Sequence, residues 1–276
     1  MRRTKQNALS WGLSTAARSG IIRSEAVMRI GIVTAMVEET VPIITKLGGV
    51  VAEDNIAGVR IVQIEAGGHT VYLANSGIGE IRAALAVQLL VDLFDIEVVL
   101  NFGFVGSLTG SLLVGETVIA GRAVHYQFDL SAVDGTPAGE YDGRGTVFFE
   151  TDREIADRFL AALPSPLRVV TVASGDKFVG DRETKKRLRD EFGADICEME
   201  LAGICLAAER NGIPVFSLKV VSDAADESAP VSFAEVVGKG LTEYEKLLPE
   251  LLGALSGVSR SSRPPVVRGE RRPVKK

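Results

Sequence analysis

The sequence predicts an α/β fold: a single domain with a central mixed, largely parallel β-sheet flanked by helices. Three observations carry this reading. Short β-branched runs alternate with helical periods through the middle of the chain. Several of those runs lack polar alternation, as strands covered on both faces do. The length, 276 residues with 46% apolar side chains, suits one large core better than two ordinary domains.

The expected strands are Ile30–Thr34, Val59–Glu65, Thr70–Ala74, Val98–Leu100, Glu116–Ile119, Val169–Ala173 and Val215–Val221. Between them lie helical periods at Glu38–Leu47, Glu80–Phe94, Asp152–Leu163, Arg182–Phe192, Leu201–Arg210 and Phe233–Leu255. Gly193 and Gly212 stand where helices should end.

Two basic segments flank this body. Residues 1–27 carry five basic side chains and one acidic, and residues 256–276 carry seven and one. With a net charge of −5 overall, the body between them carries −15. So acidic a body repels a phosphate backbone, which argues against a nucleic-acid partner. The first segment has the composition of a transit peptide, or it precedes a true start at Met28; the strand-like run after Met28 favours the second. The last segment, with Ser, Arg and three prolines, reads as a disordered tail. The organisation expected is therefore an extension at 1–27, a domain at 28–255 and a tail at 256–276.

Other classes fall away. No apolar run is long enough to span a membrane. Two cysteines, Cys197 and Cys205, give no disulfide framework and suggest a reducing, cytoplasmic compartment. His69 and His125 have no second ligand at metal spacing, so neither a metal nor another cofactor is expected.

In open α/β sheets, ligands bind beyond the carboxyl ends of the strands. Those ends here carry Ala35-Met36-Val37-Glu38-Glu39, Ser76-Gly77-Ile78-Gly79, Phe102-Gly103-Phe104-Val105-Gly106-Ser107, Ser174-Gly175-Asp176-Lys177-Phe178-Val179, Cys197-Glu198-Met199-Glu200 and Ser222-Asp223. Singly, each has a bland explanation. Glu38 and Glu39 suit a first helical turn, and Ser76–Gly79 a tight turn before a helix. Together, Glu39, Glu200 and Asp223 place three carboxylates at three strand ends. Such groups raise one another's pKa and suit acid/base work at an acetal-like carbon.

The run Met28–Glu39 resembles the opening of the 5′-methylthioadenosine/S-adenosylhomocysteine nucleosidases, a branch of the nucleoside phosphorylase superfamily. Ser76–Gly79, Ser174–Asp176, Glu198–Glu200 and Val221–Asp223 match that family in order, and Val231–Phe233 resembles its late substrate-contact segment. The similarity runs from about Met28 to about Leu252. It implies hydrolysis of an N-glycosidic bond with release of adenine. It implies Asp223 as the acid at purine N7, Glu39 as the carboxylate activating water, and Glu200 gripping the ribose hydroxyls above Met199. Phe178 would stack on the base, with the Val179 backbone at the purine edge. Ile78 and Phe233 would meet the 5′-alkylthio group. Met36, Val105, Gly106, Glu198 and Ser222 complete the implied binding set. A homodimer is implied too, with the segment His125–Asp129 a candidate contact; His125 reads equally as a hydrogen-bonded strand-end residue.

Two departures stand out. Phe104 and Val105 occupy positions where the family carries a serine and an alanine, and Lys219 replaces an arginine. Phe102 and Phe104, two apart on an extended chain, should point to one face, with Phe104 in the cleft. Two other readings compete with the hydrolase. One is a purine nucleoside phosphorylase, which would need cations or free backbone donors for phosphate. The other is a non-catalytic nucleoside binder, for which three retained carboxylates have no use.

Overall fold

The computed structural model describes residues 27–256 and 258, residue 142 excepted. The expectations for residues 1–26 and for most of the C-terminal segment therefore lie outside the described residues.

The chain runs β1 (Arg29–Thr34), α1 (Val37–Leu47), β2 (Val50–Ile56), β3 (Val59–Ala66), β4 (His69–Asn75), α2 (Glu80–Phe94), β5 (Val98–Ser107) and β6 (Thr117–His125). It continues with α3 (Ser131–Asp134), β7 (Phe148–Glu150), α4 (Arg153–Ala162), β8 (Arg168–Ser174), α5 (Arg182–Phe192), β9 (Ile196–Glu198), α6 (Leu201–Arg210), β10 (Val215–Asp223) and α7 (Ala229–Leu255). All ten strands join one mixed sheet. β5 pairs in parallel with both β1 and β10. β10 then pairs antiparallel with β6, β6 parallel with β8, β8 parallel with β9, and β9 antiparallel back onto β5. Five strands thus close a ring, and β1, β4, β3 and β2 extend from it as an open wing.

Covered on both faces, β5 is buried along its whole length. On one side Ile30, Ile32, Leu100 and Phe102 pack with Ile43 of α1, Phe159 of α4 and Leu248, Leu251 and Leu255 of α7. On the other, Val33, Val99 and Val105 pack with Ala83, Val87 and Leu90 of α2 and Leu201, Ile204 and Cys205 of α6. A third cluster sets Leu188 and Phe192 of α5 against Val124, Ala173 and Val179. Gly193 and Gly212 both take positive φ at helix ends, as the sequence suggests.

Several elements differ from expectation. β2 gives no sequence signal because it is an edge strand exposed almost throughout. β7 and β9 are three residues each, too short for a period. β6 begins at Thr117 and runs on to His125, and α7 starts four residues before Phe233. Most consequential, the segments after Leu100 and Val221 continue as strand, through Ser107 and Asp223, whereas the strand after Ala173 ends at Ser174. Among the described residues no helix is long and apolar enough to cross a membrane, and no three His, Cys, Asp or Glu are grouped to hold a metal.

Candidate active site

The strand ends converge on one cleft enclosing about 740 Å³ with its open mouth included, a size suited to a small organic ligand. Glu39, Glu198, Glu200 and Asp223 line it, with Met36, Met199 and Ser222. So do Ile78, Val105, Gly106, Phe178, Val179 and Phe233. Every catalytic and substrate-binding residue that the resemblance implies thus borders the same space. Ala35, Phe104, Lys177 and Cys197 border it as well.

Glu39 sits in the first turn of α1, where its carboxylate caps the helix it belongs to. Oε2 accepts from the Ala35 and Met36 N–H groups, each at 3.0 Å, and Oε1 accepts from the Phe104 N–H at 3.3 Å. The side chain is 2% exposed. Burial pushes its pKa up to about 7, against the Met36 N–H, Lys219 and the other two backbone donors. A carboxylate poised there is a base matched to neutral pH.

Asp223 ends β10 at a register shift against Val105 and Gly106 of β5. That irregularity turns the carboxyl into the cleft. Ser222 Oγ donates to its Oδ2 and the Ala225 N–H to its Oδ1, both at 2.8 Å. Ala225 presents that N–H from φ +50°, an uncommon conformation for a residue with a Cβ. Burial raises the Asp223 pKa above the usual carboxylate range, and the Ser222 and Ala225 donors oppose it.

Glu200 precedes α6 and reaches across to α2, accepting from the Gly79 N–H at 2.9 Å. Burial and the neighbouring Glu198 push it up to about 8. Asp176 takes the next donor on α2, the Glu80 N–H, at 2.8 Å. The glycine turn at Ser76–Gly79 therefore offers its first helical donors to the protein's own carboxylates, not to a phosphate.

Lys219 is 1% exposed and bonds Glu198 Oε2 at 3.0 Å. Burial pushes its ammonium down, but Glu198, Glu200 and Glu39 outweigh that and hold its pKa above the ordinary value. The two glycines of β5 make room for this machinery. A methyl on Gly103 would lie 3.3 Å from Lys219 Nζ and 3.4 Å from Glu39 Oε1. One on Gly106 would lie 2.9 Å from Asp223 Oδ1 and 3.1 Å from Cys197 Sγ. Their smallness serves the protein's own side chains.

Phe102 and Phe104 share a face, as an extended chain requires, and both belong to one apolar cluster. Phe102 is buried in the core at 1% exposure; Phe104, one pleat further along, borders the cleft. Its ring meets Phe233 edge-on at 5.8 Å, and Phe233 meets Phe178 edge-on at 6.5 Å. Phe178 is 47% exposed at the mouth. His125 ends β6 with Nδ1 2.7 Å from the Tyr141 hydroxyl, the hydrogen-bonded strand-end role. Two buried residues beside the site received no role from the sequence reading: Glu80, and Ser174, which appeared only as part of a matched motif. An acid at a helix start and a serine at a strand end carry no signal of their own.

A sheet closed on itself, with paired acids lining an aromatic-walled cleft, has the architecture of an α/β enzyme acting on a small molecule. The chain belongs to the Phosphorylase superfamily, whose sequence profile matches residues 29–254. The aminodeoxyfutalosine nucleosidase of Campylobacter jejuni is 30% identical over 213 residues, spanning 76% of this chain and 92% of that one. The 5′-methylthioadenosine/S-adenosylhomocysteine nucleosidase of Buchnera aphidicola is 30% identical over 235 residues, spanning 82% and 99%. Among solved structures, a Helicobacter pylori 5′-methylthioadenosine/S-adenosylhomocysteine nucleosidase with butyl-thio-DADMe-Immucillin-A superposes with a TM-score of 0.77. It has 31% identity and covers 83% of this chain and 99% of that one.

Proposed function

We propose that the protein hydrolyses the N-glycosidic bond of 5′-methylthioadenosine and/or S-adenosylhomocysteine, releasing adenine. The chain is an N-glycosidic hydrolase of the nucleosidase class, as its relatives are named. The observation that supports the mechanism is that two buried acids line one cleft, Glu39 near neutrality and Asp223 hydrogen-bonded and raised. Glu39 takes a proton from water as the water oxygen bonds to the anomeric carbon. The bond from that carbon to the purine breaks, its electron pair passes into the base, and Asp223 supplies a proton at N7. Positive charge developing on the sugar is stabilised by the carboxylates beneath it. Glu200 and Met199 hold the ribose, and Phe178 with the Val179 backbone holds the base, with Ser222 fixing Asp223 from behind. Ile78 and Phe233 meet the 5′ substituent, and Met36, Val105 and Gly106 close the wall. Water rather than phosphate is the nucleophile, because the α2 N-terminal donors are taken by Glu200 and Asp176 and Lys219 is bonded to Glu198.

A second substrate has a specific observation in its favour. The relatives named for aminodeoxyfutalosine match this chain as well as those named for methylthioadenosine. Comparing kcat/KM for methylthioadenosine, adenosylhomocysteine, aminodeoxyfutalosine, adenosine and inosine tests the reading. A preference for a 5′-thio-adenosine supports it, and a preference for aminodeoxyfutalosine transfers the same chemistry to that substrate.

A homodimer belongs to the same proposal. Val37 and Val41 on α1 and Ile81 and Leu85 on α2 are exposed, four residues apart on each helix, and Ile78 is half-exposed at the cleft lip. Sedimentation of the wild type and of Ile81→Glu checks it: a dimer that the variant dissociates supports the interface.

A further inference from the structure

Behind the cleft floor lies a buried cluster that the mechanism above does not use. Glu80, the first residue of α2, is 4% exposed and Ser174, the last of β8, is fully buried. Ser174 Oγ touches Glu80 Oε1 on one side and lies 2.5 Å from Glu198 Oε1 on the other. It also accepts from the Ala202 N–H at 3.0 Å.

A hydroxyl has one proton and two lone pairs. It cannot donate to two carboxylates at once, so two such close contacts require a second proton in the cluster. Its location follows from the surroundings. Glu198 faces the Lys219 ammonium at 3.0 Å and also accepts from the Glu200 and Leu201 N–H groups, so its oxygens are already met by donors. Among the described residues Glu80 meets no cation; besides Ser174 its carboxyl accepts from the Gly203 N–H at 2.5 Å on Oε2. With the proton on Glu80 every valence closes. The Glu80 O–H donates to Ser174 Oγ, Ala202 fills the other lone pair, and Ser174 donates to Glu198.

We propose that Glu80 is a positioning residue held as the neutral acid. It commits the Ser174 proton to Glu198 and so fixes the Glu198–Lys219 pair beneath the reacting carboxylates. An ionised Glu80 would compete for that proton and bring a second negative charge against Glu198. The local sequence makes room for it: a methyl on Gly203 would lie 2.5 Å from the Glu80 carbonyl oxygen and 2.8 Å from Oε2. Electrostatics agree, since burial and the neighbouring Glu198 push Glu80 up to about 8. The other ionisable groups around it are Glu200, Asp176 at its backbone N–H, Tyr126 and Cys205.

The inference about catalysis rests on the nucleosidase reading; the protonation state does not. The first measurement is therefore independent of activity. Infrared difference spectroscopy at pH 7 between the wild type and Glu80→Gln should show the loss of one protonated carboxyl group. Equal carboxylic-acid absorption in the two proteins would overturn the proposal. The second measurement is kinetic. Glu80→Gln can still donate to Ser174 and accept from Gly203, and should keep kcat within about threefold. Glu80→Ala should lose roughly ten- to a hundredfold in kcat with KM little changed, the size expected of a misplaced group. Adding Ser174→Ala to Glu80→Ala should cost no more, because both break one chain. Equal losses in Gln and Ala variants, additive losses in the double variant, or a fall in Tm alone would each contradict it. If Glu80→Ala does not fold, the infrared result and Glu80→Gln decide the matter. A wild type that cleaves no nucleoside would sink the nucleosidase reading and leave the infrared result standing.

Discussion

Asp223 is the residue on which acid catalysis turns. Asp223→Asn keeps the size and one acceptor oxygen, which can still take the Ala225 N–H while the new amide nitrogen donates to Ser222 Oγ, but it has no acidic proton to transfer to the leaving base. Turnover should fall by roughly a hundred- to ten-thousand-fold with substrate binding largely kept. Near-normal turnover would move the acid elsewhere. Gly106→Ala probes the same group from β5, since the new methyl would press on Asp223 Oδ1 at 2.9 Å. It should lower kcat at least tenfold, a loss of the kind a displaced catalytic group produces; unchanged kcat would show that the carboxyl has slack. Phe104 is both wall and core. Phe104→Ser should destabilise the fold by about 3–5 kcal/mol, read by denaturant titration, and should also admit bulkier nucleosides. Destabilisation with an unchanged substrate range would confine Phe104 to a packing role.

At the scale of elements, the site is built on strand ends and helix starts rather than on loops. Glu39 is placed by the first turn of α1, Asp223 by the irregular end of β10, and Glu200 by the start of α6. The sequence disclosed which residues gather, because each carboxylate follows a β-branched run and the order of motifs resembles one family. It did not disclose that β5 continues through Phe102–Ser107, since glycines at 103 and 106 read as loop until Lys219, Glu39 and Asp223 are seen against them. Nor did it disclose Glu80, Ser174 and Gly203 as one cluster, because they come from α2, β8 and α6 and meet only once the ring closes. β2 stayed hidden for the opposite reason: it is exposed along its length apart from the half-buried Ile56. Gly79 ties these elements together. It has φ +111°, and a methyl there would lie 2.8 Å from Asp176 Oδ1. Gly79→Ala should therefore weaken both the α2 cap and the Glu200 contact. It should lower Tm and raise KM together; loss of either effect alone would separate the cap from the ribose site.

Across the whole molecule, the buried acids set a pH dependence of stability. Glu39 rises from an ordinary 4.5 to about 7, and Glu80 and Glu200 to about 8. The folded state thus binds protons more tightly than the unfolded chain does. The stability this confers is fully present below about pH 4.5 and is lost as pH rises through about 7 to 8. Tm should fall between about pH 6 and pH 9, and Glu80→Gln, which cannot ionise, should flatten part of that slope. A Tm rising over this range would mean that the acids are charged in the fold at neutral pH. The same region shapes the reaction: Lys219, the cation buried behind the cleft, is bonded to Glu198 and so is engaged within the protein rather than offered to phosphate.

That choice of nucleophile is the central claim, and isotope incorporation tests it directly. Methylthioadenosine turned over in ¹⁸O-labelled water, with and without phosphate, should yield adenine at the same rate in both. The label should appear at the anomeric oxygen of the released sugar. Adenine release that requires phosphate, with a sugar 1-phosphate as product and no label in the sugar, would contradict the account.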